Sequence, residues 1–305
     1  MFRFEETRRL IAVTLDALVP GSEALDWHRW RVGGGSGSVE ILVELQYDGW
    51  LILSRPCVSL EEGGVSGWEL VRRNVHLPCG FKYVLLNGSH LELRAEIPVD
   101  EETDVIEQLS RTLPELSQVA LLQGSSDATA NLPEVPPTGS SLTIEQIRKL
   151  CEDAQWSVNE RTSGLAVTLE ARGFWQALIE ETPGGVRVSI ELLGPQSLSE
   201  TACEALALFL LSACITVRMV RPVGVTHDGN SRVQFEACLP QRLSSTDLHH
   251  ALAALSVACS LCGREIPLLA AEAAAQEYLL VRGQALYSFV KSIPLIERSE
   301  SHAHD

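Results

Sequence analysis

Positive charge is what this sequence is short of. Its 305 residues include 24 Lys and Arg against 40 Asp and Glu, a net charge of −16. That balance repels phosphate backbones and anionic lipid heads, so neither nucleic acid nor a membrane is an expected partner; a basic protein surface fits better. Long apolar runs are missing too. The uncharged stretch ALALFLLSACITV at 205–217 is 13 residues long, and a bilayer span needs ~20. An export signal is not legible, because Glu5 and Glu6 stand where only positive charge belongs and Asp16 breaks the next apolar run. The expected location is the cytoplasm.

Reaction signatures are absent as well. Asp26, Trp27 and His28 have no GxSxG nucleophile motif to work with. The glycine-rich segment 33–38 leads into a strand pattern, not into the helix that a pyrophosphate cradle requires. Cys259-x-x-Cys262 lacks the second ligand pair of a zinc site. It also lies well beyond its helix start, on an apolar stripe, so it reads as packing and not as a redox motif. His302, His304 and Asp305 belong to a tail read as loose, and the acid pairs Glu61-Glu62, Glu101-Glu102 and Glu180-Glu181 read as solvated. No catalytic, cofactor or metal residue is assigned, and no cofactor is expected. Aromatics make up 6% of the chain. Trp27, Trp30, Trp50, Trp68, Trp156 and Trp175 are expected mostly in cores; an exposed one would be a candidate peptide anchor.

What the sequence has is enough apolar material, 45%, for two globular cores. Eight cysteines sit largely inside apolar patterns, the usage of a reducing compartment. Phe4, Ile11, Leu15 and Leu18 predict a first helix ended by Pro20-Gly21. Alternation over 39–47 and 50–55 predicts a hairpin with a type I′ turn at Asp48-Gly49. A short helix through Trp68, Val71 and Val75 follows, then strands at 81–86 and 91–97 joined by Asn87-Gly88. Next comes a helix capped by Asp100, buried through Ile106, Leu109, Leu113 and Leu116, and kinked or split at Pro114. The second half opens with a capping box, Thr143 and Gln146, and a staple from Leu142 to Ile147. Strands are predicted at 165–171, 174–181 and 186–193. After the apolar helix come two more, at 219–225 and 232–239. A helix capped by Ser244 then carries Leu248, Leu252, Leu255, Cys259 and Cys262 inward, and another is expected over 268–280.

The halves repeat. At a fixed offset of 142, set by Pro98 and Pro240, apolar positions of a helix, two strands and a second helix coincide. Phe81 and Tyr83 fall on Val223 and Val225, and Trp68, Val71 and Val75 fall on Leu210, Ala213 and Val217. A period this long implies a duplicated globular domain. The expected fold is α+β: two similar domains, each an antiparallel sheet of a three-stranded meander plus a two-stranded hairpin covered by helices, in the order α-β-β-β-α-β-β-α. Copy one is placed at 1–122, a Pro/Ser-rich linker at 123–141, copy two at 142–281 and a C-terminal extension at 282–305, its end disordered.

Residues 69–102, ELVRRNVHLPCGFKYVLLNGSHLELRAEIPVDEE, and 209–245, FLLSACITVRMVRPVGVTHDGNSRVQFEACLPQRLSS, carry a resemblance. In that order, and with the strand–turn–strand–Pro–acidic-helix signature, they resemble the chaperone-like fold of class I type III secretion chaperones and YbjN-type proteins. The resemblance implies a non-enzymatic, acidic cytoplasmic protein that holds a segment of another protein, here as a tandem intramolecular pseudo-dimer. It assigns no functional residue by position. Leu206, Phe209, Leu210, Ala213 and Val217, with Trp68 and Val71, are expected at the interdomain or partner interface. Two other functions stay open: an enzyme with a site between the domains, and a self-associating structural protein.

Overall fold

A computed structural model describes residues 3–33, 40–57, 65–99, 104–122, 143–162, 164–182, 185–240 and 245–292. The segment 123–141, Asp100, Leu142, Ser244 and the final residues 293–305 lie outside it, and with them the caps, the staple and the histidine tail read from those positions.

Two similar α+β domains follow one another. Copy one runs α1 (Phe4–Leu18), β1 (Glu23–Ala24), β2 (Arg29–Val32), β3 (Ile41–Leu45), β4 (Trp50–Pro56), α2 (Gly67–Arg73) with a 3-10 turn (Asn74–His76), β5 (Phe81–Leu86), β6 (His90–Pro98) and α3 (Val105–Leu122). Copy two repeats the order: α4 (Ile144–Asp153), β7 (Val158–Arg161), β8 (Gly164–Glu170), β9 (Phe174–Thr182), β10 (Gly185–Gln196), α5 (Glu200–Ala213), β11 (Val220–His227), β12 (Asn230–Pro240) and α6 (Ser245–Cys262). Two more helices follow, α7 (Glu265–Leu269) and α8 (Glu272–Ser292).

Each copy has a six-stranded sheet with antiparallel neighbours, ordered β1-β2-β3-β4-β6-β5 in the first and β7-β8-β9-β10-β12-β11 in the second. The meander and the hairpin are both present. The sixth strand of each sheet, β1 or β7, is a short edge segment that precedes the meander. Helices α1 and α3 pack against each other over the first core, as α4 and α6 do over the second. The predicted capping box at Thr143 and Gln146 forms in both directions.

Four local expectations are corrected. The β3–β4 turn is not type I′: only Gly49 has positive φ, +84°. Gln46 N–H donates to the Trp50 carbonyl, and the longer turn pairs Leu45 with Leu51 so that both stay in the core. Helix α3 runs unbroken through Pro114, because Pro114 and the Ser110 turn it fails to bond are both exposed to solvent. Asp104 caps α3, accepting from the Ile106 and Glu107 N–H groups, which turns Val105 inward and leaves Ile106 49% exposed. The constant offset of 142 also fails before β6. Ala95 and Leu93 correspond to Ala237 and Phe235 at 142, but their partners Phe81 and Tyr83 correspond to Val220 and Pro222, at 139. The hairpin of copy two is three residues longer. An odd shift reverses the faces of a strand, so Val223 does not occupy the place of Phe81.

Helix α5 shows why 205–217 carries no charge. Leu206, Leu210, Cys214 and Val217 fill the core of copy two. Ala207, Leu208 and Leu211 join the core of copy one. Ala202 and Ala205 pack under Ala275 of α8, with Tyr278 and Leu279 beside them. Three covers leave no wet face for a polar stripe.

Candidate functional site

Two regions hold chemistry: the seam between the copies and an aromatic cluster on the surface of copy one.

At the seam, α2 and α5 pack against each other and each reaches the edge strand of the other sheet, β11 or β5. Ser66 caps α2 from its own chain end, accepting from Glu69 N–H at 3.2 Å. The remaining N–H groups of that first turn are taken by Glu204 of α5: Gly67 donates at 2.9 Å and Trp68 at 3.2 Å. Gly67 is needed here, since a Cβ would stand 3.0 Å from Leu208 and 3.3 Å from Ala207. Trp68 crosses to pack on the copy-two strand β11, where Gly224 leaves room for its ring.

Beneath the helices lie two buried ion pairs whose cations, Lys82 and Arg221, stand at equivalent places in the two copies, while their glutamates do not. Lys82 of β5 pairs with Glu96 of β6 at 2.9 Å and donates to the Cys214 and Val217 carbonyls beyond α5, each at 2.7 Å. Glu96 also accepts from Met219 N–H at 2.9 Å. Reciprocally, Arg221 of β11 pairs with Glu236 of β12 at 3.2 Å and donates to the Leu77 carbonyl beyond α2 at 2.8 Å. Asn74 completes the set, donating to the Pro222 carbonyl and accepting from Tyr83 N–H. Buried charges are tolerated when paired and fully hydrogen-bonded. These close the open backbone of one copy with side chains of the other.

Of the residues expected at an interface, Trp68 bridges both cores. Val71 packs in the core of copy one; Leu206, Leu210 and Val217 pack in that of copy two. Phe209 and Ala213 are half-buried, and Phe209 meets Tyr278 edge to face. The crossing from α5 into copy one is made by Ala207, Leu208 and Leu211. Sequence reasoning missed these because an apolar helix without a polar stripe does not say which side faces what. It missed Lys82, Glu96, Arg221 and Glu236 because a charge alternating along a strand reads as solvent-facing. Lys82 between Phe81 and Tyr83 was the available signal.

The Cys259-x-x-Cys262 thiols are buried on the inner stripe of α6, and burial pushes both up to about 12. Among the described residues no group of three or more His, Cys, Asp or Glu is placed to hold a metal ion. None of their helices is long and apolar enough to cross a membrane.

The surface cluster joins three elements. Phe4 opens α1, Trp27 precedes β2 and Tyr47 forms the β3–β4 turn. Phe4 stacks on Tyr47 at 4.8 Å between centroids, and Trp27 lies 5.2 Å from both rings. His28 adds an edge to Trp27. Asp26 rigidifies the loop, accepting from the His28 and Arg29 N–H groups and from the Arg29 guanidinium. These hold its carboxyl below the usual range, the His28 N–H contributing most. Arg8 ties the loop to α1 through the Trp27 carbonyl. Even so, Trp27 is 45% exposed and Tyr47 67%.

Fold and seam together define a fused pair of α+β domains, an intramolecular pseudo-dimer. No family model and no curated protein matches the sequence. Among solved structures, YbjN from E. coli is similar at 14% identity and a TM-score of 0.33, over 41% of this chain and 96% of that one. The di-domain ARO/CYC StfQ of the steffimycin biosynthetic pathway is similar at 12% identity and a TM-score of 0.13, over 88% of this chain and 94% of that one. At these TM-scores neither likeness bears on function.

Proposed function

We propose that the chain is a non-enzymatic, cytoplasmic protein-binding module of chaperone-like type, and that it takes a basic segment of another protein by an apolar or aromatic side chain seated on Phe4, Trp27 and Tyr47. The observation that carries this reading is the exposure of rings that are already stacked and braced. Aromatic anchors fixed before binding lose little entropy when a partner arrives, and such residues dominate interface energies. A net charge of −16 favours a cationic partner and speeds its approach. The apolar helix α5, by contrast, is occupied in joining the copies.

The test is a library of basic peptides with and without an aromatic residue, titrated against the intact chain by fluorescence anisotropy. The double variant Trp27→Ala, Tyr47→Ser should weaken the best aromatic peptide at least tenfold and leave the melting temperature within about 2 °C. Equal affinity for the variant would refute the site. A change in mass by light scattering, abolished by the same variant, would assign the cluster to self-association instead.

A further inference from the structure

A second site lies where the copies meet. Cys79 is in the turn leading into β5 of copy one, and Cys238 is on β12 of copy two. Both are partly buried free thiols that interact across the seam, and the Cys79 thiol lies 3.9 Å from the carbonyl of Leu239, the residue after Cys238. The Arg221 guanidinium lies against the pair, 3.1 Å from the Cys238 sulfur, and donates to the Leu77 and Pro78 carbonyls just before Cys79. Arg111 also acts on Cys79, opposed by Glu115; Glu236 faces Cys238. Cys79 belongs to no strand ladder, and Gly80 beside it, at φ +81°, holds the turn to β6 by accepting from Glu96 N–H at 3.2 Å.

We propose that Cys79 and Cys238 form a hydroperoxide-reactive site whose product is a disulfide locking copy one to copy two. The Cys79 thiolate attacks the terminal oxygen of the hydroperoxide: an S–O bond forms, the O–O bond breaks, and the leaving alkoxide or hydroxide takes a proton. Cys238 then attacks the Cys79 sulfur; the S–S bond forms and the sulfenic oxygen leaves as water with the Cys238 proton. Two thiols supply the two electrons that reduce the peroxide. The roles follow from the environment. Hydrogen bonding from Cys238, then Arg221, brings the Cys79 thiol down to about 7, while donation to Cys79 and burial push Cys238 well up. At neutral pH Cys79 is the nucleophile and Cys238 the resolving thiol.

The intact chain is treated with hydrogen peroxide, blocked with iodoacetamide, digested without reductant and mapped by mass spectrometry. The expected product is a Cys79–Cys238 linked peptide, released by dithiothreitol. In Cys238→Ser the sulfenic acid should persist on Cys79 and be trapped by dimedone; in Cys79→Ser both products should vanish. Without peroxide, Cys79 in the wild-type chain should alkylate at pH 7 about sixfold faster than an ordinary cysteine peptide, a larger thiolate fraction partly offset by lower intrinsic nucleophilicity. That wild-type measurement does not depend on either variant folding. Absence of the 79–238 link in the oxidised wild-type chain, or a Cys79 no faster than the reference peptide, overturns the proposal.

Discussion

Lys82→Met should destabilise the protein far more than a polar-to-apolar change on a strand ordinarily does. The ammonium is 2% exposed and holds three oxygens: Glu96 at 2.9 Å and the Cys214 and Val217 carbonyls at 2.7 Å. Methionine is of similar length, so the packing is nearly kept while the hydrogen bonds are lost. Glu96, fully buried, would retain Met219 N–H at 2.9 Å and an Arg218 contact at 3.5 Å. Breaking one side of a buried pair costs about 3–5 kcal/mol, mostly from the charge left behind. Each of the two carbonyls left without a donor adds to that, by about 1 kcal/mol or more. Two of the three lost bonds join copy one to the turn after α5, so much of the loss should fall on the coupling of the copies. Urea unfolding followed by tryptophan fluorescence and by circular dichroism is the assay. With a slope of about 3 kcal/mol/M, the midpoint should fall by roughly 1.5–2.5 M. The two probes, coincident in the wild-type chain, should separate as copy one unfolds ahead of copy two. Adding Glu96→Leu should recover only part of the loss, because the two carbonyls and Met219 N–H stay unpaired. A midpoint shift below about 0.3 M, with the probes still coincident, would refute the assignment of the seam to this cluster.

The remaining predictions test other parts of the seam and the thiols. Leu211→Ala should cost about 2–5 kcal/mol by opening a cavity in the core of copy one, although the residue belongs to copy two; calorimetry reads it, and a loss under about 1 kcal/mol would place Leu211 elsewhere. Gly224→Ala puts a Cβ 2.9 Å from the Trp68 ring and should lower stability by about 1–3 kcal/mol, with a shifted tryptophan emission. Glu204→Ala removes the acceptor of two α2 N–H groups and should cost about 1–2 kcal/mol, with glutamine recovering part. The Cys259 and Cys262 thiols, raised in the folded state from near 9 to about 12, favour the neutral form there. The unfolded chain therefore loses these protons first, so stability is full below about pH 9 and falls above it, by up to about 1.4 kcal/mol per pH unit for each thiol. The urea midpoint should drop between pH 9 and 11, and drop less in Cys259→Ala, Cys262→Ala.

The α+β plan was legible because its signals are local. Two-residue periodicity marks the meanders, Thr143 and Gln146 mark the start of α4, and Asn87-Gly88 and Asp228-Gly229 both take positive φ. Absence of charge over 205–217 announced that the segment is covered on every side, but not by what, since covering is a tertiary property. The aromatic cluster has no local trace at all. Phe4, Trp27 and Tyr47 are scattered over 44 residues and meet only when α1, the loop before β2 and the β3–β4 turn are brought to one end of the sheet. The slip from 142 to 139 hid in a hairpin of different length, where apolar residues matched on the wrong face.

Because the copies share one chain, their association does not weaken on dilution, and neither half must match itself. A symmetric pair of separate chains would use the same contact twice. Here one end is lysine with glutamate and the other arginine with glutamate, and Arg282 of α8 reaches across to the Gly88 carbonyl on one side only. Covalent fusion thus lets each half of the joint evolve alone, one free to hold firm while the other acquires a new task.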